Sequence, residues 1–440
     1  MADIAQRSLF TWQDVESSPE ILRLERVLKV LPDEELLLAL EAQRDGRRDD
    51  YPLRALWNAV MAGIVFQHPS VASLLRELKR NGELRQMCGF DPLRGGDGVP
   101  PDYVFSRFLK RLLDKHDLVE NIFDSLVERL CELLPDFGKC TAVDGKALPT
   151  WGRKDADADW GVKEYKGTDA DGKAWQRVTK WFGYKVHLLV DTTYELPIAC
   201  HVSKASDNDS PHLLPLIDKT QERHPELLER TEKLAADKGY DSAENKSVLY
   251  DDHGITPLID TRDMSGGAMK PLDDQRHDTI YISGTGEVCC KVNPFDTNPD
   301  KKYCAMQFQG FEEDRQTLKF RCPAAAFGVE CNNKEACQSR TKDSGFGRVV
   351  RVDMNSDRRV HMPCYRHSRK FEDDYKARTA VERVNSRIDH VYGMTRHTVR
   401  GLKKMTLRVG IVCIAMLATA VAWVEAGLAD NARSLLATAA

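Results

Sequence analysis

The sequence predicts an α/β protein: a mixed β-sheet core flanked by helices, preceded by an all-α segment and interrupted by a Cys-rich insertion. Three observations carry this reading. Up to residue 136 the apolar residues recur at helical spacing. From Lys139 onward short apolar runs take over, and two of them end in an aspartate. After residue 350 helical spacing returns.

The bulk numbers set the frame. The chain has 440 residues, 42% hydrophobic and 30% charged, which suits a globular protein with a sizeable core and two or three domains. A net charge of −4 excludes a uniformly polybasic binder. The cations cluster, however. Residues 364–408 hold 12 Lys and Arg against 5 Asp and Glu, with three histidines besides. A basic face on an acidic protein is compatible with DNA contact. The opening MADIAQRSLF lacks the basic-then-apolar pattern of a secretory signal, so the 12 cysteines are expected to stay reduced. The 16-residue apolar run from Val409 to Val424 is shorter than the roughly 20 residues that cross a bilayer, and predicts a buried helix.

In residues 1–136 helices are expected from Ser18–Pro19, over Leu53–Val65, and after the turn QHPS, where Ser70 suits an N-cap. On that last helix Leu74, Leu75 and Leu78 face inward, while Arg76, Lys79 and Arg80 share an outer face. The two joined helices read equally as a DNA-binding pair or as a bundle with a solvated basic side. A Gly/Pro-rich loop (DPLRGGDGVPPD) and two further helices complete the segment.

Residues 137–260 form the first part of the core. CTAV is a short strand ending at Asp144. Residues 151–180 are polar. Their alternating Asp155, Asp157 and Asp159 resemble a calcium loop only loosely, because Trp160 stands where the tight turn needs glycine. GYKVHLLVD and LPIACHV, separated by DTTYE, predict a β-hairpin, and KLAAD a buried strand ending at Asp237. Residues 261–350 read as a Gly-, Asp- and Cys-rich insertion. Residues 351–440 bring a long helix from about Glu372 to Tyr392 and a final apolar helix from about Lys403.

The chemistry follows from this order. Tyr375, Arg378 and Glu382 stand at i, i+3 and i+7, on one face of a helix. Strand–Asp144, hairpin, helix, strand–Asp237, helix, strand, insertion and helix–Glu382 is the order of an RNase H-like core. Two acids at neighbouring strand ends and one from a packed helix can hold two divalent ions about 4 Å apart, which suits in-line displacement at phosphorus. Oxygen donors in small number suit Mg²⁺.

TAVDGKAL, FGYKVHLLVD, VSKASDNDSPHLLPL, LAADKGYDS and YKARTAVERVNSRID resemble the DDE transposases of bacterial insertion sequences, over roughly residues 140–425. The segment YPLRALWNAVMAGIVFQHPSVASLLREL resembles the N-terminal domain usual in that group. The resemblance implies an RNase H-like DNA strand-transfer enzyme using Mg²⁺ or Mn²⁺, acting on terminal inverted repeats and target DNA as a dimer or larger assembly in the bacterial cytoplasm. By motif position Asp144, Asp237 and Glu382 are the catalytic, metal-binding acids. Tyr375 and Arg378 match a Tyr–Arg–Glu–Lys signature whose basic residues contact DNA phosphates. One position departs: the signature expects lysine seven residues after Glu382, and Asp389 stands there. Arg383 and Arg387 are the nearby cations expected to substitute. An inactive DNA-binding relic and a metal-dependent nuclease without strand transfer are the alternatives.

Other residues have two readings each. Lys185 faces either a phosphate or the core. His187 reads first as a satisfied core histidine and Trp181 as core packing rather than a base-stacking ring. His212 follows a turn that capping by Asp209 or Ser210 explains without it. In the insertion, Cys304, Cys322, Cys331 and Cys337 are candidates for a structural zinc site, though Cys-x8-Cys-x5-Cys is not a standard spacing and free thiols explain them as well.

Overall fold

The computed structural model describes residues 19–43, 51–169, 172–272, 279–291, 303–331, 337 and 345–434. Ser18, half of the expected first helix-start signal, lies outside them.

Among the described residues seven α-helices precede the sheet: α1 (Pro19–Val30), α2 (Glu34–Ala42), α3 (Leu53–Val65), α4 (Val71–Arg80), α5 (Gly82–Cys88), α6 (Asp102–Leu113) and α7 (His116–Leu133). The helical spacing is realised as expected. Leu74, Leu75 and Leu78 of α4 are buried, Arg76, Lys79 and Arg80 are exposed, and the Ser70 hydroxyl accepts the Ser73 amide at 3.2 Å.

The core sheet is built from β1 (Cys140–Pro149), β2 (Asp159–Thr168), β3 (Ala174–Asp191) and β4 (Pro197–Lys204). After α8 (Leu213–Arg223) and α9 (Pro225–Arg230) it continues with β5 (Lys233–Ala236), α10 (Ala243–Ser247) and β6 (Thr256–Ile259). β1 pairs antiparallel with β3, and β3 antiparallel with β4 and β2. β5 lies parallel to β1, and β6 parallel to β5. The sheet is therefore mixed. The expected hairpin of β3 and β4 is present, but β3 is longer than its apolar part. Residues 159–168 and 174–182, given no strand by the sequence, are strand as well: they pair with each other and leave both faces largely in solvent.

Residues 270–353 form two small sheets. One is β7 (Lys270–Pro271), β8 (Ile280–Ile282), β9 (Val288–Cys290) and β10 (Cys304–Ala305). The other is β11 (Gln307–Glu312), β12 (Thr317–Arg321) and, after α11 (Pro323–Phe327), β13 (Val349–Asp353). They share a separate apolar cluster that includes Ile280, Val288, Leu318, Phe320, Val350 and Tyr365.

The single helix expected over 372–392 is broken. α12 (Arg369–Tyr375) and α13 (Thr379–His390) are joined by a 3₁₀ turn over Lys376–Arg378. The Thr379 hydroxyl donates to the Lys376 carbonyl at 2.9 Å, a local bond that competes with the helical ladder. The last helix, α14 (Leu402–Glu425), is 24 residues long and apolar enough to cross a membrane by length and composition. It is instead packed on α1, α3, α7 and β4, with 78% of its most apolar window buried. One continuous apolar core thus joins the first helices, the sheet and α14.

Candidate active site

The parallel pairing of β1 and β5 ends at Val143 and Ala236, so the next residues, Asp144 and Asp237, stand side by side where the strands part. Neighbouring strands lie about 4.8 Å apart, which sets the spacing of the two backbones. β6 ends its pairing with β5 at Ile259, and Asp260 extends the row. Burial pushes the Asp144 carboxyl up to about 6; the Lys163 ammonium opposes this, the Asp237 charge adds to it and Arg378 opposes it again. Asp237 accepts the Gly239 amide at 2.7 Å, which fixes the turn after β5. Asp260 is held by Arg366 at 2.7 Å.

A further carboxylate comes from the loop after β4. A β-carbon at Gly145 would stand 2.9 Å from an Asp209 oxygen, and one at Gly239 would stand 3.2 Å from the other and 2.6 Å from Asp237. Both positions are glycine where a side chain would displace an acid. The expected capping role of Asp209 is not realised: it makes no side-chain cap bond to the turn it precedes. The Lys185 ammonium holds it instead at 2.9 Å and also donates to the Asp207 carbonyl at 2.7 Å.

Helix α13 lies across the strand ends. Arg378, Glu382, Asn385 and Asp389 recur at i, i+4, i+7 and i+11, along one side of it. The Asn385 amide donates to Asp144 at 3.1 Å, which shows that this side faces the acids. Glu382 is half exposed and accepts from Arg378 at 2.6 Å. The Tyr375 ring stacks on Phe371 at 5.4 Å with the Arg378 guanidinium 5.8 Å from its centroid, and burial raises its hydroxyl to about 12.

A family model described as Transposase DDE domain matches residues 135–418, the span that carries every one of these groups. The chain belongs to the DDE transposase family. It is also similar to a putative transposase for insertion sequence element IS402 from Burkholderia cepacia, with 36% identity over 91 residues, 20% of this chain. That match covers 41% of the relative's own length. No solved structure matches the transposase.

Asp389, the departure from the signature, is paired across the site. The Lys146 ammonium, on β1 two residues after Asp144 and so on the same side of the strand, donates to it. The pair ties β1 to α13. Arg383 and Arg387 do not reach the acids. Arg383 bonds Glu195 at 2.6 Å and the Thr379 hydroxyl, and Arg387 lies against Glu195 at 3.4 Å and the Arg433 carbonyl at 3.0 Å. They leave α13 on its other side. His187 is buried and doubly partnered, by Tyr240 at 3.2 Å and Ser203 at 3.0 Å, with His212 stacked on it at 4.2 Å. Burial lowers its pKa to about 2, so it is a neutral core residue. Trp181 is half-buried and donates to the Tyr184 carbonyl at 3.0 Å.

The donor set of Asp144 and Asp237 suits a hard divalent cation, because burial and then the neighbouring Asp237 charge make Asp144 costlier to ionise and a bound cation relieves that cost. Among the described residues no three acid, imidazole or thiol side chains are already spaced to hold an ion, and Glu382 is engaged by Arg378. The zinc candidates are in the same position. Burial raises the Cys304 thiol, with Cys322 and Cys331 near enough to add to it, yet among the described residues no three thiols are grouped as a zinc site requires, and Cys337 lies between segments outside them. Lys146, Asp209, Asp260 and Asn385 are the site residues that sequence reasoning missed. Lys146 carried a usable signal, standing at even spacing from Asp144 on one strand.

Proposed function

We propose that the transposase cuts DNA at the ends of an insertion sequence and joins the freed 3′ ends to target DNA. Asp144, Asp237 and Glu382 would hold Mg²⁺ or Mn²⁺ in an RNase H-like core. The observation that carries this reading is the meeting of Asp144 and Asp237 where β5 ends beside β1, under the side of α13 that bears Glu382. The sheet order, β4–β3–β1–β5–β6 with only β3 antiparallel to the other strands, supports it. Divalent ions there would activate the attacking hydroxyl or water and stabilise the leaving oxygen.

The chain's own groups do the rest. Arg378 is shared between Glu382 and an arriving phosphate, so DNA binding frees Glu382 for the site. Lys146 neutralises the negative charge of Asp389, so that this acid does not repel an arriving phosphate. Asn385 fixes the orientation of the Asp144 carboxyl. Residues 1–136 would serve DNA binding and assembly, residues 137–260 and 351–440 catalysis, and residues 261–350 form the insertion. The protein would work as a dimer or larger assembly on DNA in the bacterial cytoplasm. Asp389 was the ground for an inactive relic; its neutralisation by Lys146 favours the active reading.

The test supplies labelled element ends, Mg²⁺ and a target plasmid to the full chain. Joined products are expected. Hydrolysis of the ends with no joining, at any target concentration, would leave a nuclease and refute the transfer step.

A further inference from the structure

Beyond the core sheet, β2 and the outer half of β3 continue as a two-stranded ribbon. Lys163 pairs with Thr179, Tyr165 with Arg177 and Gly167 with Trp175, so these six residues share one face. Trp175 lies flat across the strand: a β-carbon at Gly167 would stand 2.6 Å from its indole. The backbone covers one side of the ring and leaves the other open. Trp175 is 46% exposed and Tyr165 43%. The Lys163 ammonium sits 5.8 Å from the Tyr165 centroid. Toward the base the device repeats, with Trp181 laid over Gly161. Between Trp181 and Trp175 this face holds cations and rings but no acid. Asp159, at its foot, is bonded to Ser206 at 2.9 Å. The opposite face differs: Trp160 packs on Phe182 at 5.5 Å, and Glu164 accepts from Gln176 at 3.3 Å.

The face also leads to the acids, since Lys163 is the foremost of the neighbouring charges acting on Asp144. Flat rings with an open π-face, alternating with cations, are the chemistry that binds single-stranded nucleic acid without sequence preference. A duplex buries its base faces in its own stack, so only unpaired bases can use these rings. A second copy of the chain on this face would crowd two Lys163 and two Arg177 side chains into one interface without an acid to pair them.

We propose that the Lys163–Tyr165–Trp175–Arg177 face of the ribbon is a stacking platform for unpaired bases of the DNA strand next to the phosphate attacked at Asp144. The proposal rests on the transposase reading. Its test uses the full chain in EDTA, with anisotropy of a short labelled oligothymidine and of a blunt duplex of the element end. Tyr165→Ala/Trp175→Ala should weaken oligothymidine binding at least about tenfold, given roughly 1–3 kcal/mol per stacked base, and change duplex binding by less than about twofold. Tyr165→Phe/Trp175→Phe should restore it. Lys163→Gln/Arg177→Gln should flatten the salt dependence by about 1.4 in the log–log slope, for two single-strand phosphate contacts. Unchanged oligothymidine affinity in the alanine pair would overturn the platform, as would equal loss on both probes. A shift in oligomeric state with DNA affinity intact would make this face a copy–copy interface and overturn it too. A wild-type chain that nicks element ends while the ribbon variants bind like wild type sinks only this inference. A wild-type chain that neither binds nor nicks DNA sinks the transposase reading with it.

Discussion

Replacing Asp144 by asparagine should stabilise the metal-free protein while abolishing its response to Mg²⁺. The Asp144 carboxyl moves from its ordinary 3.8 to about 6 in the fold, chiefly by burial. That difference is roughly 2 pH units, or about 3 kcal/mol of penalty for keeping the group ionised. The sign is that of a raised acid. The penalty is absent below pH 3.8, grows as pH rises and is complete above about 6. Asn removes the ionisation but keeps an oxygen that the Asn385 amide can reach. In EDTA at pH 7.5 the variant should therefore melt several degrees above wild type, at roughly 2–4 °C per kcal/mol or somewhat less for so long a chain. The gap should narrow as the pH falls to 5. Adding Mg²⁺ should raise the wild-type midpoint and leave the variant unmoved, because an ion that binds only the folded state stabilises only the protein that binds it. Thermal melts across pH, with and without Mg²⁺, read all three effects. A variant no more stable than wild type at pH 7.5, or a gap independent of pH, would refute the reasoning.

Two other perturbations follow from the geometry. Lys146→Met strands the half-buried Asp389 and should cost about 1–2 kcal/mol in urea unfolding, with Lys146→Asp/Asp389→Lys recovering most of it; a single variant as stable as wild type would count against the pair. Gly183→Ala places a β-carbon 2.3 Å from the Leu148 carbonyl oxygen and 2.6 Å from the Thr150 nitrogen, so β1 and β3 must shift where the ribbon leaves the sheet. A loss of about 2 kcal/mol or more is expected in thermal or urea melts, and an unchanged midpoint would show that the contact relaxes freely.

What the sequence disclosed, and what it hid, follows from where each signal lives. The helices before β1 were legible because one side of each is buried, and burial writes a 3.6-residue period. The apolar half of β3, the start of β1 and the strand before Asp237 were legible for the same reason, as short buried runs; β1 does not end at Asp144 as expected but runs on to Pro149, because it keeps pairing with β3. The ribbon was not: with both faces in solvent, Trp160 to Thr168 has no buried side to impose an alternation. The break before α13 was hidden because Lys-Ala-Arg is ordinary helical sequence, and only the bond from Thr379 to Lys376 marks the turn. Asp389 looked like a defect when read along the chain. Its partner Lys146 lies 243 residues away, and no local pattern joins them. Asp209 was read as a cap because turns commonly use aspartate that way, whereas Gly145 and Gly239 leave room for it beside the acids.

The most direct measurement is Mg²⁺-dependent nicking of labelled element ends by wild type and by Asp144→Asn, Asp237→Asn and Glu382→Gln, with end binding followed in parallel. The account predicts cleavage by wild type alone and end binding by all four. Cleavage retained in any one of the three variants would contradict the assignment of these acids as the metal-holding set.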